Sequence, residues 1–243
     1  MRKGLIILFL VFLVISLASC GPKRIPKENL DSMNRVAVLS LMDDKIQFIQ
    51  IGTTVFNNVE KYHLVKEWMI DDYIEGLIKH ELAKNQQFKI SNVEFDREKM
   101  NDTYKVATRL HGDHNISKVK GYLQELASSN NLDTLFLVAH ESNELENPRR
   151  IVQGYTLYNR SLFGKKLTTQ IYLTLVIEVV DLRTMKSIVR RYMFTKKDID
   201  NSYWREEIRD LTDDQVLFIK KIIFDELREV IPLAVNHLMN KGD

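Results

Sequence analysis

Cysteine is nearly absent from this chain: Cys20 is the only one in 243 residues. A domain beyond it therefore has no disulfide, no thiol nucleophile and no thiolate metal site. Its stability must come from a packed core, and the roughly 210 residues that follow can supply one as a single domain. Glycine is scarce, at nine. Neither G-x-x-x-x-G-K-[ST] nor G-x-G-x-x-G occurs, so phosphate cradling by a glycine loop is unsupported. There is no G-x-S-x-G nucleophile elbow. H-E-x-x-H is missing as well: after His80-Glu81 come Leu82 and Ala83, and Lys84 stands where the second histidine would be. Charge of one sign is also lacking. The chain has 35 Lys and Arg against 33 Asp and Glu, and the excess disappears once Arg2 and Lys3 are set aside. No global basic field exists for nucleic acid or anionic lipid, so no nucleic-acid partner is expected.

Arg2 and Lys3 precede an apolar run, GLIILFLVFLVIS, from Gly4 to Ser16. This is a basic n-region and a short h-region, with small residues after it. At about 1.5 Å per residue the run falls short of a ~30 Å hydrocarbon core. The tetrad Leu17-Ala18-Ser19-Cys20 resembles the lipobox of bacterial lipoproteins. That resemblance implies a diacylglyceryl thioether on Cys20, cleavage before it and acylation of the new amino group. One acyl chain holds a bilayer only marginally, whereas several anchor stably. Gly21 follows rather than aspartate, which by analogy with lipoprotein sorting favours the outer membrane. The expected organisation is a signal peptide over 1–19, lipidated Cys20 with a polar tether over 20–34, and a periplasmic domain over 35–243. Pro22 and Pro26 argue against helix in the tether.

Beyond residue 34 the pattern alternates between strands and helices. RVAVLSL, Arg35 to Leu41, is apolar on both faces, as in a buried central strand. Residues 46–65 read as further extended structure, with a turn or bulge at Gly52. Ile70, Tyr73, Ile74, Leu77, Ile78 and Leu82 form one helical face, capped by Asn85. Phe88 to Phe95 reads as a strand and 96–115 as a loop. Val119, Tyr122, Leu123, Leu126 and Ala127 give a second helix, with Asn115 or Ser117 as its cap. Thr134 to His140 is another buried-type strand. TTQIYLTLVIEVVD alternates with period two and turns through DLRTMKS into a hairpin partner, SIVRRYMFT. Thr212 and Gln215 have capping-box spacing ahead of a long helix with Val216, Ile219, Ile223, Leu227, Val230 and Ala234 on its face. Pro232 is expected to bend or end it. The fold class is α/β, a single domain with a mixed β-sheet and about three packed helices.

Few residues carry chemistry. His111-Gly112-Asp113-His114 holds two imidazoles and a carboxylate, and with His140-Glu141 could furnish zinc ligands. Turn-forming polar residues gather in such loops without any metal, and that plainer reading is preferred. Metal and cofactor are therefore not expected. Asp71, Asp72 and Glu75 read as solvated helix charges rather than an acid–base set. Arg190 and Arg191 point to opposite faces of a strand, and Arg190 is expected to pair across the sheet with Glu178. GYTLYNRSLFG is more unusual. Tyr155, Tyr158, Arg160, Leu162 and Phe163 either form an exposed partner-binding surface or fold back onto the sheet.

Four blocks taken together resemble a known class: RVAVLSL, YIEGLIKHELAKNQQFKI, YLQELASSNNLDTLFLV and LTLVIEVVDLRTMKSIVRRY. They are similar to periplasmic lipoproteins with the fold of the curli-secretion lipoprotein, the penicillin-binding-protein activators and the amino-terminal domain of the Tol–Pal translocation protein. The segments at 46–65 and around YNRSLFG depart from the simplest version. The resemblance implies a non-enzymatic, membrane-anchored adaptor or assembly factor that binds other envelope proteins. Two alternatives remain open: a metal-dependent hydrolase using His111 and His114, and a homo-oligomeric subunit of a secretion collar.

Overall fold

The computed structural model describes residues 24–84, 87–101, 119–146, 149–163 and 165–240. The described elements are α1 (Lys27–Ser32), β1 (Arg35–Leu41), β2 (Lys45–Ile51), β3 (Val59–Leu64), α2 (Ile70–Ala83), β4 (Lys89–Ile90), α3 (Lys120–Asn130), β5 (Thr134–His140), β6 (Ser142–Glu146), β7 (Arg149–Leu162), β8 (Lys165–Asp181), β9 (Lys186–Ile199) and α4 (Asp213–Met239).

The long alternating segment becomes the spine of the sheet. One side of β8 pairs with β9 along almost its whole length. The other side is shared: its first half pairs with β7 and its second half with β5. Two wings therefore grow from β8, one running β7-β2-β3 and the other β5-β1-β4. β1 pairs in parallel with both of its neighbours, and β2 is parallel to β7, while the hairpins are antiparallel. The sheet is mixed, as expected.

Both faces of the spine are covered, which is why β1 and β8 read as apolar throughout. Val36, Val38, Leu173, Leu175 and Ile177 pack against α2 and α4 in the larger core. Ala37, Leu39, Leu41, Val176 and Val180 pack against α3 on the opposite face. A third cluster joins Ile49, Ile51, Tyr158 and Tyr172 to Val152 of the β6–β7 arm. That arm leaves the sheet at Gly154, whose φ of +59° demands glycine although a Cβ there would meet only the Cβ of His140 at 3.5 Å. Gly52 has the opposite reason: a Cβ there would overlap the Asn57 side chain and lie 2.9 Å from the Asn57 carbonyl.

Several expectations need correction. The stretch assigned to the tether is folded from Arg24 onward. Ile25, Leu30 and Met33 are buried, and the Ile25 amide donates to the Leu238 carbonyl at 3.1 Å. Pro26 does not prevent α1, because it serves as the N-cap, where a missing N–H costs nothing. Pro232 does not end α4, which continues to Met239. Its lost hydrogen bond belongs to Arg228, an exposed residue whose carbonyl can meet water. The Thr212–Gln215 capping box is present. Residues 1–23, including Cys20, and Asn85, Asn115 and Ser117 lie outside the described residues. Among the described residues no helix is long and apolar enough to cross a membrane.

The path of the chain gives the molecule two ends. Arg24, the end of α4 and the β8–β9 turn lie together, since Arg183 in that turn donates to the Ser32 hydroxyl at 3.0 Å. The β7–β8 and β2–β3 turns lie at the other end. At about 3.3 Å per residue, the 17 residues of β8 separate these ends by roughly 50 Å.

Candidate functional site

The distal end is built by two hairpins locked side by side. β2 and β7 run in parallel register, with Ile51 opposite Arg160, so their turns emerge together. The Phe163 amide, in the left-handed region at φ 48°, donates to the Thr53 hydroxyl at 2.6 Å. The Ser161 hydroxyl donates to the Ile51 carbonyl at 3.4 Å. These bonds fix a tip from which large apolar groups project. Phe56 is 93 % exposed and Phe163 81 % exposed, and both Leu162 and Arg160 are exposed beside them.

The five residues singled out in GYTLYNRSLFG divide by strand alternation. Arg160, Leu162 and Phe163 reach the tip. Tyr155 is fully buried in the core beneath α2 and α4. Tyr158 is buried on the opposite face, edge-on to Tyr172 with ring centroids 5.8 Å apart. Phe56 escaped notice in the sequence. Its signal was there: one bulky aromatic within GTTVFNN, a segment otherwise of turn-forming character.

A second cluster inverts this arrangement. Asp71 and Glu75 are not solvated helix charges; they are buried at the end of β1, and only Asp72 reaches solvent. Asp71 Oδ1 accepts from the Ser40 hydroxyl at 2.5 Å and from the Met42 amide at 2.9 Å. Glu75 Oε1 accepts from the Ser40 amide at 3.0 Å. Arg97 donates to Asp72 Oδ1 and Glu75 Oε1, each at 3.0 Å. Burial raises the Asp71 carboxyl to about 6, against the opposing pull of Ser40, Met42 and Arg97. Burial raises Asp44 too, and it lifts the Tyr155 phenol well above its ordinary value. The spacing carried the clue. Asp71 and Glu75 share the helical face of Ile74 and Ile78, not the face opposite it. The carboxylates close off backbone donors where β1 leaves the sheet, a structural task that uses their full acceptor capacity on Oδ1 and Oε1.

The expected cross-strand pair is present: Arg190 Nε donates to Glu178 Oε1 at 2.7 Å, directly across the β8–β9 ladder. Near it lies a cleft of about 340 Å³, lined by Glu141, Ser142, Asn143, Thr174, Tyr192 and Phe194, where β5 leaves β8. Among the described residues no group of three or more His, Cys, Asp or Glu is arranged to hold a metal ion. His111 and His114 lie outside the described residues.

No family model matches the chain, and no curated protein matches it. Among solved structures it is similar to the hypothetical protein CT253 from Chlamydia trachomatis, at 14 % identity and a TM-score of 0.35, covering 84 % of this chain and 98 % of that one. It is similar to the LpoB C-terminal domain from Salmonella enterica at 10 % identity and a TM-score of 0.25, covering 67 % and 82 %. It is similar to the lipoprotein GNA1162 from Neisseria meningitidis at 7 % identity and a TM-score of 0.29, covering 80 % and 97 %. These are weak, low-identity likenesses to several bacterial proteins, not membership of a specific class.

Proposed function

We propose that this chain is a lipid-anchored protein of the bacterial cell envelope that acts without catalysis, as an adaptor or assembly factor for other envelope proteins. Cys20 holds it to the membrane, in this reading the outer membrane, and the domain stands in the periplasm. The contact is the distal tip, with Phe56, Leu162 and Phe163 as anchors and Arg160 beside them. One observation carries the reading: two phenylalanines stand almost wholly in water on adjacent hairpins that are hydrogen-bonded to each other. A fold that buries apolar groups on both faces of its sheet has no internal reason to leave these out. Aromatic side chains with a neighbouring arginine are the usual energetic centre of a protein interface, and a fixed tip loses little freedom on binding. The tip lies at the end remote from Arg24. An anchored copy thus presents it roughly 50 Å along the β8 axis from the membrane-proximal end. Tethering raises the local concentration of tip and partner.

In-cell photo-crosslinking of the full chain tests this, with the photoreactive residue at position 162 or 163 and, as a control, at Leu217 on the exposed face of α4. A discrete protein adduct from the tip and none from position 217 is the expected result. Adducts only between copies of this chain would replace the adaptor with a self-assembling subunit. A folded, anchored protein with no tip adduct would overturn the reading.

A further inference from the structure

β9 is an edge strand of 14 residues, Lys186–Ile199, hydrogen-bonded on one side to β8. Among the described residues no strand pairs with its other side and no turn or loop makes a backbone hydrogen bond to it. An unpaired edge of this length is a template for a further strand, and proteins that restrict pairing shorten it, cover it, bulge it, charge it or break it with proline. β9 is not shortened and has no proline; it carries charge instead, and the β8–β9 register shifts once, between Val179 and Val180. α4 packs on its face, through Val189 and Met193, rather than along its edge.

The chemistry of the strand selects what can lie there. β9 carries Lys186, Arg190, Arg191, Lys196 and Lys197 against a single carboxylate, Asp198. Two of the cations are engaged inside the molecule, Arg190 with Glu178 and Lys197 with Glu226 at 4.0 Å. Lys186 and Lys196 are exposed. A second copy of the strand laid on this edge would bring five cations against five, with one carboxylate on each strand to offset them, which is unfavourable in a sheet. An acidic strand would meet the opposite sign at each end. Between the lysines, Tyr192 and Phe194 project from one face and are about half exposed, and Phe194 leans on Tyr172 at a centroid distance of 5.7 Å. Cross-strand partners of these rings would be aromatic or β-branched.

From this geometry we infer that the free edge of β9 receives an extended, acidic segment of another protein, which adds to the sheet as a strand. Backbone hydrogen bonds supply the affinity. Lys186 and Lys196 set the charge preference, and Tyr192 and Phe194 select an apolar residue at the alternate position. This surface is separate from the hairpin tip and stands or falls without it.

Hydrogen–deuterium exchange on the full chain in detergent micelles tests the inference. The probes are two synthetic peptides that alternate valine with glutamate or valine with lysine, each in large excess. The glutamate peptide should slow the outward amides of residues 186–199 at least about tenfold, with the lysine peptide inert. The double variant Lys186→Glu/Lys196→Glu, changed only at exposed positions, should reverse that preference. Three results would overturn the inference: outward β9 amides already protected in the free protein, no protection by the glutamate peptide, or equal protection by both peptides. Protection of the free protein that grows with its concentration would assign the edge to a second copy instead.

Discussion

At the hairpin tip, apolar side chains stand in water; at the junction of β1 and α2, carboxylates stand in the core. Each arrangement is unfavourable by itself, and they differ in what compensates. Asp71 Oδ1 and Glu75 Oε1 are answered within the molecule by Ser40, Met42 and Arg97, and Asp71 Oδ2, which makes no hydrogen bond among the described residues, faces the Arg97 guanidinium at 3.8 Å. Phe56 and Phe163 are answered by nothing among the described residues, although Thr53 holds the Phe163 backbone in place. A buried carboxylate whose hydrogen bonds run to its own fold's backbone and side chains points to architecture. A large apolar group held rigidly in water points outward, to something that covers it. The contrast explains why the tip, rather than the carboxylates, is read as the functional surface.

The sharpest way to break this comparison is to remove the buried carboxylate. Asp71→Ala leaves the Ser40 hydroxyl and the Met42 amide without their acceptor and should cost about 3 kcal/mol at pH 4, where the folded carboxyl still holds its proton. Urea denaturation measures it, and a loss below about 1 kcal/mol would show that water replaces the carboxylate at that site.

The pH dependence of the same residue separates burial from pairing. Its folded carboxyl lies at about 6, above the ordinary 3.8. A raised carboxyl binds its proton more tightly in the folded state. The stability it gives is therefore fully present below pH 3.8 and is lost as the pH rises through 6. Asp71→Asn retains the acceptor but has no proton to lose. Between pH 4 and pH 8 the wild type should lose about 3 kcal/mol relative to this variant, a size that follows from the shift at ~1.4 kcal/mol per pH unit. Parallel stability curves would mean that Arg97 and the hydrogen bonds outweigh desolvation.

The smallest effect on stability belongs to the tip. Phe163→Ser and Phe56→Ser should each change unfolding free energy by no more than about 0.5 kcal/mol, because the rings bury little. Both should abolish the crosslinks formed from position 162. A variant that unfolds the domain would make Phe163 part of the core after all.

Much of this was legible in the chain. The strands RVAVLSL and TTQIYLTLVIEVVD, the faces of α2 and α4, the Thr212 cap and the Glu178–Arg190 pair all follow from local periodicity or from neighbours on a hairpin. These are short-range signals, set by side-chain alternation, capping chemistry and apolar spacing. Other features depended on what came to lie opposite. Tyr155 lies within β7 and Phe163 just past its end, and they read alike, yet one is buried because α2 and α4 cover its face, and the other projects past the last ladder partner. Asp71 looked solvated until β1 ended over the first turn of α2. Pro26 and Pro232 looked like stops until their positions left no buried acceptor unpaired. The sequence by itself determined the long strands and helices, because that choice is made within a few residues, whereas short elements such as α1 and β6 formed only where packing or a pairing partner held them. Burial, the two ends of the molecule and the free edge of β9 were decided only by tertiary packing, which joins residues too far apart in the chain for any local pattern to register.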